Sequence, residues 1–249
     1  AKKRDNAMTN KILMGLIALV LGLLFLEILI VHSKNEQQKN ASNQVQTARI
    51  MANGDLLYHD GLYMSALQSD GSYDFTENFT YVKPWLKQAD LVLGDFEGTI
   101  NPDYPLSGYP LFNAPQSVTA AIKDAGYDVM DLAHNHILDS GLEGAFTTAD
   151  AFKKVGIDPI GVYEKPVRDK APLLIKNVNG IKVAILSYAY GYNGLESNLT
   201  DKEVADHLSN LDEKRMKAEI QRAEKEADIT VIMPQMGVEY RLEPTDEQV

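Results

Sequence analysis

The chain contains no cysteine among its 249 residues, and this absence removes several kinds of chemistry at once. Disulfides, thiolate zinc sites and cysteine nucleophiles are all excluded. Any metal ion must therefore be held by His, Asp, Asn or Glu side chains. Positive charge is also scarce, with 24 Lys and Arg residues against 35 Asp and Glu, for a formal net charge of −11. Because such a chain would repel the phosphates of a nucleic acid, no nucleic-acid partner is expected.

Long apolar runs are rare as well, and the clearest one covers residues 12–31. It holds one charged residue, Glu27, and its length as a helix matches a hydrocarbon core of about 30 Å. The basic residues that precede it predict a cytoplasmic tail at 1–11, a single transmembrane anchor at 12–31 and a soluble domain outside the cell membrane. A cleaved signal peptide is the alternative, but the run is long for one and no small-x-small site follows Val31.

Residues 32–47 are polar and mostly Gln- and Asn-rich, which is typical of a flexible linker. The remaining segment, 48–249, is long enough for one domain with a sizeable core. Its patterns predict strands at 48–55, 90–95, 128–135 and 228–233, and helices at 78–88, 117–126, 142–156 and 212–227. Asn179-Gly180, between two apolar segments, predicts a hairpin. This alternation predicts an α/β fold with a largely parallel sheet and helices on its faces.

Polar residues of metal-binding type follow three of the predicted strands. Asp55 follows the first strand, Asp95 and Glu97 follow the second, and Asn135 and His136 follow the third. In open α/β sheets, ligands bind at the carboxyl ends of the strands, so these residues are expected to meet. Carboxylate, amide and imidazole groups together suit a divalent metal of the Mn, Fe or Zn type. Two such ions about 3.5–4 Å apart could generate a hydroxide nucleophile.

Each candidate also has a structural interpretation. Asp55 could cap a local turn, Glu97 could pair with a neighbouring base, and His136 could be a hydrogen-bonded structural histidine. The polar pair that ends in His136 is followed by Asp139, which favours a functional role for that segment. His59 is a candidate for contact with a ligand or substrate.

Four segments, in this order and spacing, resemble the CapA/PgsA family of bacterial capsule and poly-γ-glutamate synthesis: GDLLYHD (54–60), ADLVLGDFEGTI (89–100), NAPQSVTAAIKDAGYDVMDLAHNHILDSG (113–141) and MPQMGVEY (233–240). The resemblance covers residues 48–249. It implies a fold similar to calcineurin-like metallophosphatases, which is a layered β-sandwich flanked by helices, here preceded by the single transmembrane helix.

The resemblance also implies roles for individual residues. His136 and Asp139 are the implied catalytic residues, with Asp139 in a supporting role. The candidate for substrate binding, His59, rests on the sequence pattern and not on the resemblance. The implied metal ligands are Asp55, Asp95, Glu97, Asn135 and His136.

The chain departs from the family pattern at several positions. Asp95 stands where the family usually has Asn, and His134 replaces the first Asn of an Asn-Asn-His motif. Gln235-Met236-Gly237 replaces His-Trp-Gly, which removes an expected imidazole ligand. The family continues past the position of Val249 into a segment with further histidines, so the domain at 48–249 is expected to lack its C-terminal part.

Three functions remain open at this point. The first is a membrane-anchored component of capsule or poly-γ-glutamate synthesis or export, which would work with other capsule-synthesis subunits. Its acidic domain could handle an anionic polymer through a bridging divalent cation. The second is a metal-dependent phosphoesterase in which His136 acts as ligand or general acid. The third is a non-catalytic binding or scaffold module.

Overall fold

The chain divides into two compact units, Ala1–Gln46 and Thr47–Val249. The computed structural model describes residues 22–23, 26–34, 45–167, 170–238, 240–246 and 248–249. In the first unit the described residues at 26–34 are helical. The predicted tail, and much of the predicted anchor (12–31) and linker (32–47), lie outside the described residues. None of the helices that are described is long and apolar enough to cross a membrane.

Four parallel strands form the first sheet, in the spatial order β1-β2-β3-β4. Their bounds are β1 Ile50–Leu57, β2 Leu91–Glu97, β3 Val129–Asp131 and β4 Asp158–Ile160. Parallel strands are buried on both faces and therefore appear in sequence as nearly continuous apolar runs, as the start of β2 does. The strands predicted at 48–55, 90–95 and 128–135 are confirmed, although β3 ends at Asp131 rather than at residue 135.

Helices connect these strands. Their bounds are α1 Asp60–Ala66, α2 Lys83–Leu86, α3 Val118–Ala125 and α4 Gly141–Lys154. The residues that α3 buries recur at helical spacing and include Val118, Ala121, Ile122 and Ala125. The single helix predicted at 78–88 is wrong, because a 3-10 segment at Thr76–Phe79 and the short α2 take its place.

Three strands form the second sheet, in the order β5-β6-β7, with bounds β5 Leu174–Val178, β6 Ile181–Ala189 and β7 Ile229–Gln235. β5 and β6 form the predicted antiparallel hairpin. Its turn residues, Asn179 and Gly180, have φ values of 53° and 89°, which is the conformation that a type I′ turn requires. Helices α5 (Asp201–His207) and α6 (Glu213–Glu226) lead into β7, which runs parallel to β6.

Apolar clusters define the order of the layers. One cluster joins Leu93 and Val129 of the first sheet to Val183 and Ile185 of the second, so the two sheets pack face to face. A second cluster packs α3 and α4 against the first sheet, and a third packs α6 against the second sheet. The described residues of this unit therefore form a mixed α/β fold, as predicted, with helices outside two packed sheets.

The register of the first sheet brings three aspartates side by side. Asp55 of β1 lies opposite Asp95 of β2, and Asp95 lies opposite Asp131 of β3. Between Ala52 and Asp55 the register of β1 shifts against β2 by one residue, which is a β-bulge. Without this extra residue Gly54 would lie opposite Asp95, and the Asp55 side chain would project from the other face of the sheet. The bulge therefore places the Asp55 carboxylate.

Candidate functional site

Asp55, Asp95 and Glu97, here named the carboxylate group, lie together at the ends of β1 and β2. Asp95 and Glu97 are two residues apart on one strand and so project from the same face. That face packs toward the second sheet, because Leu93 on the same side belongs to the cluster between the sheets. Asp55 is within hydrogen-bonding reach of both. The structure thus brings these predicted metal ligands together, within the last residues of the strands rather than after them.

Burial raises the pKa of Asp95 and the pKa of Glu97 to about 8. Burial is the largest cause of this rise. The charges of Asp131 and Asp55 account for part of it at Asp95, and a hydrogen bond with Asp55 accounts for part of it at Glu97. Asp131 is also buried, and burial raises its pKa to about 7. A carboxyl group with a raised pKa keeps its proton near neutral pH unless a positive charge compensates for ionisation. At neutral pH, the carboxylate group of Asp55, Asp95 and Glu97 is therefore expected to hold protons or to bind a cation.

His136 and Asp139, the predicted catalytic pair, are joined by a hydrogen bond. His136 Nδ1 lies 2.8 Å from Asp139 Oδ2, and the backbone N–H of Phe112 donates to the same oxygen at 2.6 Å. The Asp139 side chain is 1% exposed and that of His136 is 12% exposed. Because Nδ1–H donates to the carboxylate, Nε2 is the ring nitrogen that can exchange a proton. The His136 charge also lowers the pKa of Glu97, so the pair lies near the carboxylate group.

Asn135 is held by the side-chain amides of two other residues. Its backbone N–H donates to Gln235 Oε1 at 2.7 Å, and its Oδ1 accepts from Gln235 Nε2 at 2.8 Å. Its Nδ2 donates to Asn193 Oδ1 at 3.1 Å. Gln235 Nε2 also lies 3.2 Å from Glu97 Oε1. Asn135 therefore joins the predicted site, but its side-chain oxygen already accepts an N–H.

His59 approaches the site through an aromatic ring. The Phe112 ring is edge-on to the rings of both His59 and His136, with centroid distances of 4.8 Å in each case. A cavity of about 460 Å³, lined in part by Asp139 and Tyr109, lies beside this segment. The predicted role of His59 in substrate binding stays a prediction.

The donors of the carboxylate group decide which metal ion it suits. In the described parts of the chain, no group of three His, Asp or Glu side chains is arranged to hold a metal ion. Within the described residues, Asp95 Oδ1 is nevertheless buried without a hydrogen-bond partner, although buried polar atoms are normally satisfied. Carboxylate oxygens are ligands that suit Mg²⁺, Ca²⁺ and Mn²⁺. The donor types are those that oxygen-preferring cations use, but the described side chains do not close around an ion.

Sequence reasoning did not assign a role to several residues of the site. Asp131 could have been found by aligning the predicted strands, because it occupies the register position next to Asp95. Asn193 lies in a polar loop with a φ of 55°, and no sequence pattern indicated its contact with the site. His134 is buried, which lowers its pKa to about 3, and its Nδ1 accepts the backbone N–H of His136 at 3.2 Å. It supports the loop as a neutral side chain.

Comparison with solved structures supports the fold. The chain matches a crystal structure described as a "Putative 5'-Nucleotidase from Staphylococcus aureus in complex with alpha-ketoglutarate", with a TM-score of 0.50 and 15% sequence identity. The match covers 79% of this chain and 39% of that chain. At this identity the likeness concerns the fold alone.

Comparison with protein families and curated proteins identifies the family. The model of the bacterial capsule synthesis protein PGA_cap matches residues 49–249. The capsule biosynthesis protein CapA of Bacillus anthracis is 30% identical over 179 residues, which is 68% of this chain and 43% of that protein. The PGA biosynthesis protein CapA of Bacillus subtilis strain 168 is 26% identical over 249 residues, or 99% of this chain and 63% of that protein. The chain thus spans about half the length of these relatives. It belongs to the PGA_cap family of bacterial capsule synthesis proteins.

Proposed function

We propose that this chain is a membrane-anchored, extracytoplasmic component of bacterial capsule synthesis or export, acting on a polymer of the poly-γ-glutamate type. The names of the Bacillus relatives support the process, and the apolar run at 12–31 supports the anchor. Other capsule-synthesis subunits in the membrane are its proposed partners. The observation that carries the molecular part is the carboxylate group of Asp55, Asp95 and Glu97, which lies at one edge of the sheet beside His136.

A divalent cation at the carboxylate group would allow an acidic protein to hold an acidic polymer. The chain has a net charge of −11, so it repels the carboxylates of polyglutamate. A bound cation such as Mn²⁺ supplies positive charge that carboxylates from both molecules can share. Asp55, Asp95 and Glu97 are the residues that would hold it. Asp95 Oδ1 is the strongest candidate, because it is buried and has no hydrogen-bond partner among the described residues.

Substitution of Asp95 tests this proposal. We expect the purified chain to bind poly-γ-glutamate in calorimetry with Mn²⁺ and not with EDTA. Asp95→Asn should weaken the Mn²⁺-dependent binding about 10-fold or more, because a neutral amide is a poorer ligand for the cation. Asp150→Asn is the matched control, since Asp150 is exposed on α4 and pairs with Lys153 at 3.4 Å on the surface. Equal binding in EDTA would contradict the bridging role of the cation.

A metal-dependent phosphoesterase is the second candidate, and the hydrogen bond between His136 and Asp139 favours it. A histidine whose Nδ1–H is held by a buried carboxylate can deliver a proton from Nε2 to a leaving oxygen. The backbone N–H of Phe112 fixes Asp139, which in turn fixes the imidazole. These contacts hold the His136 imidazole in an orientation that suits proton transfer beside the carboxylate group.

Substitution of His136 distinguishes the two candidates. His136→Gln removes the proton donor and keeps a polar side chain of similar length. If the chain is a phosphoesterase, the Mn²⁺-dependent turnover of a generic phosphodiester should fall about 100-fold or more, whereas polymer binding should change little. A wild-type rate no faster than the rate without protein would contradict the phosphoesterase candidate and leave the polymer-binding proposal unaffected.

A further inference from the structure

Gln235 connects the two sheets at the site. It is the last residue of β7, and its side-chain amide contacts Asn135, in the loop after β3, and Glu97, at the end of β2. Asn135 and Gln235 are 100 positions apart in sequence. The chain thus brings a neutral amide from the second sheet against two side chains with metal-binding oxygens on the first.

The orientation of the Gln235 amide is fixed by its partners. Its Oε1 accepts the backbone N–H of Asn135 at 2.7 Å. Turning the amide over would bring its NH₂ against this N–H, so that two donors would face each other. Nε2 must therefore remain on the side of Asn135 Oδ1 and Glu97 Oε1, at 2.8 and 3.2 Å.

The same amide occupies the position that a cation would need on this side of the site. A cation held between Asn135 Oδ1 and Glu97 Oε1 would need the lone pairs that now accept the two N–H groups of Gln235. The two N–H groups of the neutral Gln235 amide already donate hydrogen bonds to these oxygens. On the other side, Asp95 Oδ1 has no such partner among the described residues.

We infer that Gln235 is a positioning residue that closes the Asn135–Glu97 side of the site with a neutral amide, so that this chain accepts one divalent cation on the Asp55–Asp95 side and excludes a second. The binding of the first cation rests on the proposed function. The exclusion of the second rests on the Gln235 contacts. The inference therefore sets the number of metal ions in the site, which the carboxylates alone do not determine.

Metal stoichiometry tests the inference with Gln235→Glu. The variant keeps the length of the side chain, and one carboxylate oxygen can still accept the Asn135 N–H. The other oxygen replaces the NH₂ group, so three oxygens would face one another and attract a cation. We expect the full chain to bind one Mn²⁺ by calorimetry, with the electron paramagnetic resonance spectrum of an isolated ion. Gln235→Glu should bind one Mn²⁺ more than wild type, with the spectrum of two interacting ions.

The possible results separate the inference from the proposed function. If wild type binds no Mn²⁺ and Gln235→Glu binds one, the proposed cation is contradicted and the role of Gln235 is supported. Two interacting Mn²⁺ ions in wild type would overturn the inference and leave the proposed cation intact. Equal numbers of ions in wild type and variant would also overturn it.

Two further variants guard against trivial outcomes. Gln116→Glu makes the same chemical change at an exposed residue, and it should keep the wild-type stoichiometry. Gln235→His offers a neutral ligand of different shape and should also gain an ion, with folding checked by circular dichroism. If neither Gln235 variant folds, the electron paramagnetic resonance spectrum of the wild-type chain still tests the inference. A pair of interacting Mn²⁺ ions in that spectrum would overturn it.

Discussion

Raising the pH from about 6.5 to 8.5 without divalent cations is expected to lower the free energy of unfolding by roughly 4 kcal/mol, or about 8–16 °C in melting temperature. In the folded chain the pKa of Asp95 and the pKa of Glu97 are about 8, against about 4 in an unfolded chain. Carboxyl groups with raised folded-state pKa values stabilise the fold while they are protonated, and this contribution is lost as the pH rises through the folded pKa. Thermal unfolding over a pH series measures the effect.

His134 determines the lowest pH at which the carboxyl groups alone control the pH dependence of stability. Burial lowers its pKa to about 3 from an ordinary value of 6.5, so below about pH 6.5 unfolding takes up a proton at its imidazole. That uptake makes stability rise with pH between about 3 and 6.5, which opposes the effect of the carboxyl groups. Above this range His134 is neutral in both states, and the carboxyl groups determine the slope.

Asp95→Asn provides the test of the cause. The variant should lose about half of the pH dependence and be more stable than wild type at pH 8, because an amide does not ionise. Asp150→Asn, an exposed change of the same charge, should keep the wild-type slope. Saturating Mn²⁺ at pH 8 should raise the melting temperature of wild type more than that of Asp95→Asn. A wild-type melting temperature that is constant between about pH 6.5 and 8.5 would contradict the raised pKa values.

The α/β fold could be predicted wherever short-range patterns carry the information. On α6, Met216, Ile220 and Ala223 recur at helical spacing, and all three pack against the second sheet. Asn179-Gly180 fixed the hairpin, because that pair adopts positive φ at low cost. The region at 78–88 was predicted wrongly because its apolar residues suit a helix, whereas the chain forms a 3-10 segment and one short turn of helix instead.

The candidate site also contains some contacts that the sequence predicts and others that it does not. The proximity of Asp55, Asp95 and Glu97 could be predicted from the sequence. Neighbouring parallel strands place their carboxyl ends at the same edge of a sheet, and ligands bind there. The one-residue bulge that aims Asp55 has no clear sequence signal. The contacts of Gln235 and Asn193 with Asn135 depend on how the second sheet packs on the first, over separations of 100 and 58 residues. Periodicity within one segment carries no information about such contacts.

Gly161→Ala is expected to destabilise the fold by about 3–5 kcal/mol and to abolish cation binding at the site. Gly161 follows β4 with a φ of 93°, which costs an L-residue about 1–2 kcal/mol. A Cβ there would also lie 2.6 Å from the backbone nitrogen of Ala133 and 2.9 Å from Ser187 Oγ. Because a backbone atom cannot rotate away, the loop that carries Asn135 and His136 must shift. Chemical denaturation and Mn²⁺ calorimetry measure the two effects.

Gly156→Ala separates the steric clash from the cost of the backbone conformation. Gly156 has a φ of 77°, close to that of Gly161, but a Cβ at this position meets no atom within 4 Å. This variant should therefore lose only about 1–2 kcal/mol and keep the wild-type affinity for Mn²⁺. Similar losses in both variants would show that the contact of Gly161 with Ala133 does not hold the site loop. A much larger loss in Gly161→Ala would mean that the close packing of β4 against this loop fixes the position of Asn135 and His136.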